Sequence, residues 1–376
     1  MRLIIGGDLV PTRSNIDLFS IGDVNQLAGE KLLSLLNAAD FRIFNLEVPL
    51  TDKEDPIVKC GPNLKASTST VKGIKNLNPS LLTLANNHIL DQGEQGLKST
   101  EQILTENDIP FVGVGKNLFE VNRSYVMEYF GTKIGIYACA EHEFTIATDA
   151  SAGANPFDPL ESLDHIKELK SNCDYVIVLY HGGKEHYRYP SPYLQTVCRK
   201  MVEKGADLVV CQHSHCIGCY EEYNDSTIVY GQGNFLFDHS ESEFWKTSIL
   251  LQIDICEEIK VDYIPIIKVG NTVRLANEKQ KEEILLGFRK RSDEIKQIGF
   301  IEKRYSEFAK ESFNGYLSAL HGDNLVFRIL NKLWNYKFAR LLYSRRSILW
   351  MLNIVECEAH RELLLKGLTI RGKDVE

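Results

Sequence analysis

Leu208-Val209-Val210-Cys211-Gln212-His213-Ser214-His215 runs from four apolar residues into two histidines separated by one serine. A short apolar run without alternation reads as a strand buried on both faces, as in a parallel sheet. Ligands of such a sheet gather outside the carboxyl ends of its strands. On an extended segment His213 and His215 would point to opposite sides, but on a loop leaving the strand both can turn toward one site.

The same pattern recurs upstream. Leu3-Ile4-Ile5 leads to Asp8, Phe41-Arg42-Ile43-Phe44 to Asn45 and Glu47, and Leu81-Leu82-Thr83-Leu84-Ala85 to Asn87 and His88. Tyr175-Val176-Ile177-Val178-Leu179-Tyr180 leads to His181. Any one of these histidines alone reads equally well as a hydrogen-bonded core residue. Five strand ends finishing this way point to a shared pocket of carboxylate, amide and imidazole donors.

Between the strands lie helical stretches at 24–38, 94–107, 159–171 and 191–204, the last opening with Ser191 as N-cap and Pro192 at the first helical position. Alternation of this kind predicts an α/β fold with right-handed crossovers. Thr227–Tyr230, Phe235–Phe237, Thr247–Ile255 and Ile259–Val269 follow with short links, which predicts consecutive antiparallel strands in a second sheet packed on the first. Helical signals dominate after about residue 275, so the expected organisation is a core domain over 1–274 and a helical extension over 275–376.

The composition, 44% hydrophobic and 25% charged, is that of an ordinary globular protein. A net charge of −8 gives no support for a nucleic-acid footprint, so no nucleic-acid partner is expected. The opening Met1-Arg2-Leu3-Ile4-Ile5-Gly6-Gly7-Asp8 is too short an apolar stretch for a secretory signal. Nine cysteines, odd in number and mostly inside apolar runs, fit free thiols in a reducing compartment, and the cytoplasm is the expected address. Cys216-Ile217-Gly218-Cys219 has the spacing of a zinc knuckle or redox pair, but no second ligand pair accompanies it, and packed thiols are expected.

Mixed Asp, Glu, Asn and His donors suit two-metal hydrolytic sites, in which paired ions clamp the attacking and leaving oxygens. The expected cofactors are two divalent ions, Mn, Fe or Zn, with Glu47 as the natural bridging carboxylate. Asn87 can bind through its amide oxygen, and His88 can protonate a leaving alkoxide as general acid. Asp91 would then fix the tautomer of His88. Asn86-Asn87 followed by Gly93 is also turn chemistry, and that reading stays open.

Six ordered blocks carry a family resemblance: Gly7-Asp8; Asn45-Leu46-Glu47; Ala85-Asn86-Asn87-His88 with Asp91 and Gly93; His181-Gly182-Gly183-Lys184-Glu185; Gly205 to His215; and Tyr230 to Asp238. Over roughly residues 1–270 the chain resembles bacterial capsule-synthesis proteins associated with poly-γ-glutamate, a branch of the calcineurin-like metallophosphoesterases. The resemblance implies a four-layer αββα sandwich. It also implies Asp8 and His215 on one metal, Asn87, His181 and His213 on the other, Glu47 between them, and His88 as acid. It departs at two points. Asp8-Leu9-Val10 lacks the histidine of the usual Asp-x-His, and Glu47 stands where Asp is usual. A weaker or differently filled first site is therefore expected. Glu141, His142, Glu185 and His186 are further candidate ligands or substrate contacts.

The expected activity is metal-dependent hydrolysis linked to an envelope polymer, on a small molecule or an anionic polymer. The alternative is a non-hydrolytic assembly factor that uses a degenerate site to bind such a polymer; a nuclease fits an acidic chain less well. Residues 325–355 contain no Asp or Glu, and set Arg328, Lys332, Lys337, Arg340, Arg345 and Arg346 among Phe327, Leu330, Leu333, Trp334, Phe338, Leu341, Leu342, Trp350 and Leu352. Such a basic amphipathic stretch can make peripheral contact with an anionic membrane, or cover a neighbouring domain or subunit.

Overall fold

The structure is a computed structural model, and it describes residues 1–256, 258–320, 325–334, 338 and 342–373. The chain forms two compact units, Met1–Ile301 and Glu302–Glu376.

Strands of the first unit, in chain order, begin with β1 (Arg2–Val10), β2 (Phe41–Leu46), β3 (Leu81–Thr83), β4 (Phe111–Val112) and β5 (Val114–Gly115). Next come β6 (Tyr125–Tyr129), β7 (Thr132–Ala140), β8 (Gly153–Ala154), β9 (Tyr175–His181) and β10 (Leu208–Gln212). The remainder are β11 (Tyr220–Tyr223), β12 (Ser226–Tyr230), β13 (Leu236–Phe237), β14 (Thr247–Ile255), β15 (Ile259–Val269) and β16 (Thr272–Leu275). One sheet has the order β16-β15-β14-β1-β2-β3-β4, with β13 paired to β1; a second has the order β11-β12-β10-β9-β7-β6. β5 and β8 form a separate pair.

Alternation along each strand builds the layers, because successive side chains leave a strand on opposite faces. Leu3, Ile5, Ile43 and Leu81 of the first sheet meet Ile136, Ile177, Leu179, Leu208 and Val210 of the second in one apolar core. Ile4, Leu9, Phe44 and Leu82 face the other way, onto Phe19, Leu32, Leu36, Leu97 and Leu104 of the covering helices. Val176, Val178, Val209 and Cys211 likewise pack outward on Ile166, Leu194, Val197 and Met201. The result is the four-layer αββα sandwich.

The strands that end in candidate ligands are thus divided between two sheets, β1, β2 and β3 in one and β9 and β10 in the other. The predicted sheet of consecutive antiparallel strands does not form. β12 lies parallel to β10, with Leu208 opposite Thr227, and β13 lies parallel to β1, with Leu9 opposite Leu236. Only β14 and β15 pair as expected, and they extend the first sheet from β1. β7 lies in the interior of the second sheet and ends just before Glu141 and His142.

The helix expected over 24–38 is two helices, Val24–Ala28 and Glu30–Asn37, separated by Gly29 at φ 75°. The dihedral calls for glycine, because side chains with a Cβ rarely adopt it. Helix Pro192–Glu203 begins as predicted, with Ser191 Oγ accepting from the Leu194 amide at 3.0 Å.

The helix Glu278–Glu294 opens with a capping box between Asn277 and Gln280, and buries Phe288 in the inter-sheet core. Residues 278–301 therefore pack with the first unit, whereas the sequence boundary at 274/275 assigned them to the extension. The second unit contains helices Leu325–Leu333, Arg345–Glu356 and Glu358–Lys373, and a small cluster in which Leu317 and Phe327 meet Phe338, Tyr343 and Met351. Lys337, Arg340 and Leu341 of the basic stretch lie outside the described residues. No helix of the described residues is long and apolar enough to cross a membrane.

Candidate metal centre

The pocket is assembled at the carboxyl ends of strands from both sheets. Asp8 is aimed by an irregularity in β1: the pairing with β2 shifts register between Ile5 and Asp8, leaving Asp8 opposite Asn45. Gly7 permits the bend, since a Cβ on it would lie 1.9 Å from the carbonyl oxygen of Gly233. Glu47 follows β2 and Asn87 follows β3, while His181 ends β9, in register with Gln212 at the end of β10.

His213 and His215 have φ of 76° and 51°. Left-handed backbone at non-glycine residues costs about 1–2 kcal/mol each. It turns both imidazoles into one pocket, where a regular strand would have sent them apart. Both side chains are buried, as are Asp8, Glu47, Asn87 and His181. All six residues named from the sequence as ligands are therefore brought together.

The donors form two groups. Asp8, Glu47 and His215 each offer an atom within 4.8 Å of the others, and so do Glu47, His181 and His213. Glu47 belongs to both, the position of a bridging carboxylate. Asn87 Oδ1 lies 3.0 Å from His181 Nε2, which is itself 3.1 Å from His213 Nδ1 and 3.4 Å from Glu47 Oε1. His215 Nδ1 is 3.4 Å from Asp8 Oδ2 and 2.9 Å from Asn234 Oδ1.

This set fits divalent cations on its own chemistry. Both oxygens of Glu47 are buried without a hydrogen-bond partner. A buried carboxylate so placed needs a cation or a proton. Burial, reinforced by the charge of Asp8, pushes the Glu47 carboxyl well above the usual range. Burial holds the His181 imidazole down, at about 4, and that of His213 well below its ordinary value, so both rings stay neutral, as ligation requires. Burial raises Asp8 as well, but the hydrogen bond from His215 and the charge of that ring outweigh it, and Asp8 ends below the usual carboxylate range. His215 moves up for the reciprocal reason: burial lowers it, and Asp8 and Glu47 more than compensate.

His88 and Asp91 stand beside these ligands. His88 Nδ1 lies 2.5 Å from Asp91 Oδ2, which leaves Nε2 as the ring atom available for proton transfer. Asp91 is fully buried and also accepts from the Leu64 amide at 2.6 Å and from the ammonium of Lys59. The Asn86 side chain accepts from the His88 amide at 3.1 Å, so the turn chemistry of this segment serves to place His88.

Several residues of the pocket were not given roles from the sequence. Lys59 and Glu143 sit on loops with no periodic signal. Glu143 Oε2 accepts from Asn87 Nδ2 at 3.2 Å, which turns the amide oxygen toward His181. Asn45, read from the sequence as a strand-end donor of the pocket, donates Nδ2 to Asp8 Oδ1 at 2.8 Å and lies 3.2 Å from His181 Nδ1. Of the further candidates, Glu185 is at the rim, 4.0 Å from His213 Nε2, and His142 is exposed. Glu141 accepts from the Tyr180 hydroxyl at 3.3 Å. His186 Nε2 accepts from Trp245 Nε1 at 2.8 Å, and the Trp245 ring in turn lies 4.6 Å from that of His215. Cys216 and Cys219 are buried free thiols, in no metal-ligand group among the described residues.

Four layers with a shared-carboxylate donor set at the strand ends define an αββα sandwich with a candidate metal-binding pocket. The family model described as "Bacterial capsule synthesis protein PGA_cap" matches residues 2–239, and the chain belongs to that family. It is 33% identical over 227 residues to the capsule biosynthesis protein CapA of Bacillus anthracis, covering 58% of this chain and 55% of that one. It is 30% identical over 212 residues to the PGA biosynthesis protein CapA of Bacillus subtilis (strain 168), covering 54% and 55%. The chain thus spans about half the length of these relatives. Among solved structures, a 5'-nucleotidase precursor from Thermus thermophilus aligns over 77% of this chain and 58% of its own, at 14% identity and a TM-score of 0.41.

Proposed function

We propose that this protein is a metal-dependent hydrolase of phosphoester-type bonds that acts in the synthesis of an anionic envelope polymer. The observation that carries the reading is the pair of donor groups sharing Glu47, with His88 held beside them by Asp91. Bound divalent ions would supply Lewis-acid activation and charge stabilisation at such a site. Asp8 and His215 would hold one ion, and His181, His213 and Asn87 the other, with Glu47 between. Asn45 and Asn234 orient Asp8 and His215 by hydrogen bonds. Trp245 and Phe237 wall the His215 side and keep water from it. Asp91 holds the Nδ1 proton of His88, so Nε2 can deliver a proton to a leaving oxygen. The link to an envelope polymer rests on family membership and on the capsule and PGA biosynthesis roles named for the two Bacillus relatives.

One observation favours a second reading, a non-hydrolytic assembly factor. Val10 stands where the superfamily places a histidine, and it is buried in the apolar layer against the helices. The Asp8 site therefore gains no donor from that position, and a degenerate site could hold an anionic polymer through its metal without cleaving it.

The test uses the full chain purified without chelator. The proposal expects retained Mn, Fe or Zn and hydrolysis of an aryl phosphodiester with added Mn²⁺. His88→Ala should cut turnover by about 10²–10⁴-fold with metal content unchanged. Loss of metal in that variant would refute the acid role. Absence of turnover on any ester, together with metal-dependent binding of polyglutamate, would select the assembly reading.

A further inference from the structure

The second unit leaves an unusual amount of apolar surface in water. In helix Leu325–Leu333, Phe327 and Asn331 are buried, yet Val326, Ile329 and Leu333 are exposed on another side at i, i+3 and i+7 spacing. That spacing makes one continuous stripe. Trp334, at the end of the helix, is also exposed. In helix Arg345–Glu356 no residue is buried, and Leu349, Trp350, Leu352 and Val355 all stand in solvent. Scattered exposed leucines need no explanation, but a stripe of them along one helix, and a second helix with a tryptophan and three aliphatic side chains in solvent, mark interaction surfaces.

Charge indicates what covers it. Residues 325–355 carry six Lys and Arg and no Asp or Glu, in a chain of net charge −8. Arg345 and Arg346 are exposed in the first turn of the second helix. A second copy of the chain meeting these helices would bring the exposed Lys332, Arg345 and Arg346 toward cations of the same kind, which disfavours self-association through them. An anionic lipid surface attracts them, and tryptophan and arginine are the side chains suited to the boundary between headgroups and acyl chains. Since no helix of the described residues can cross a bilayer, the segment is suited to lie in the interface. We propose that helices Leu325–Leu333 and Arg345–Glu356 dock this protein on an anionic membrane, with the tryptophans and leucines entering the headgroup layer and the arginines contacting lipid phosphates.

Sedimentation of the full chain with lipid vesicles tests this. Binding is expected to phosphatidylglycerol-containing vesicles and not to pure phosphatidylcholine. It should weaken at least about tenfold between 50 and 500 mM NaCl, because the attraction is screened. Arg345→Gln with Arg346→Gln should lower binding to anionic vesicles to a similar degree, and Trp350→Glu should lower it even in low salt. Circular dichroism and metal content, which report the fold and the first unit, should stay at the wild-type level in these variants. No sedimentation with anionic vesicles at 50 mM NaCl would overturn the proposal. So would equal binding to neutral vesicles, or a dimer in analytical ultracentrifugation that Trp350→Glu abolishes in a protein that binds no vesicle.

Discussion

Lys59 and Asp91 form an ion pair that is almost wholly withdrawn from water, with 3% and 0% of their side chains exposed. The pair joins a loop to the segment that bears His88, and Asp91 uses its other oxygen for His88 Nδ1. Removing Lys59 leaves the buried Asp91 carboxylate with only the Leu64 amide and His88 as partners, and breaking a buried pair costs up to about 3–5 kcal/mol. Lys59→Met should therefore lower the urea midpoint substantially. It should also reduce kcat more than it changes KM, because the ring orientation of His88 depends on the same carboxylate. A Lys59→Met protein with wild-type stability and turnover would show that His88 is positioned without it.

The shared carboxylate makes metal content a sharp readout. Glu47 is common to both donor groups, whereas His213 and His215 each serve one. Glu47→Gln should therefore lower bound metal at both positions, and His215→Ala should lower it at the Asp8 position alone. Elemental analysis of wild type and the two variants, purified side by side, gives the ratio. Equal metal loss in Glu47→Gln and His215→Ala would mean that the carboxylate does not bridge.

What could be read from the sequence divides along a physical line. Apolar runs followed by Asp, Glu, Asn or His gave away the strand ends, since burial on both faces and a functional carboxyl end leave local marks. Partner choice between strands leaves none: Thr227–Tyr230 looks the same whether it pairs with β10 or with a hairpin neighbour, so the assignment to sheets failed there. His213 and His215 were legible as residue types, but the left-handed backbone that turns both inward appears only in the folded chain. Lys59 and Glu143 act from loops, where no periodicity singles out one charged residue among many. The start of the extension was misplaced because the charged surface of helix Glu278–Glu294 hides the buried Phe288 that anchors it.

Away from the metal pocket, Asp238 ties the chain after β13 to Lys268 of β15 and to the hydroxyl of Ser14. Burial pushes its carboxyl up, but the hydrogen bonds from Lys268 and Ser14 and the charge of Lys268 prevail, and it sits below its ordinary 3.8. A carboxyl depressed in the folded state stabilises above its unfolded value and loses that contribution as pH falls through the folded one. Asp238→Asn should then cost about 1–2 kcal/mol at pH 7, allowing for partial exposure of the pair. The difference from wild type should persist at pH 5 and shrink below about pH 4, as the wild-type carboxyl takes up its proton. Urea denaturation of both proteins across this range decides it. A gap that stays constant down to about pH 3 would assign the effect of the substitution to packing, with no part for the charge.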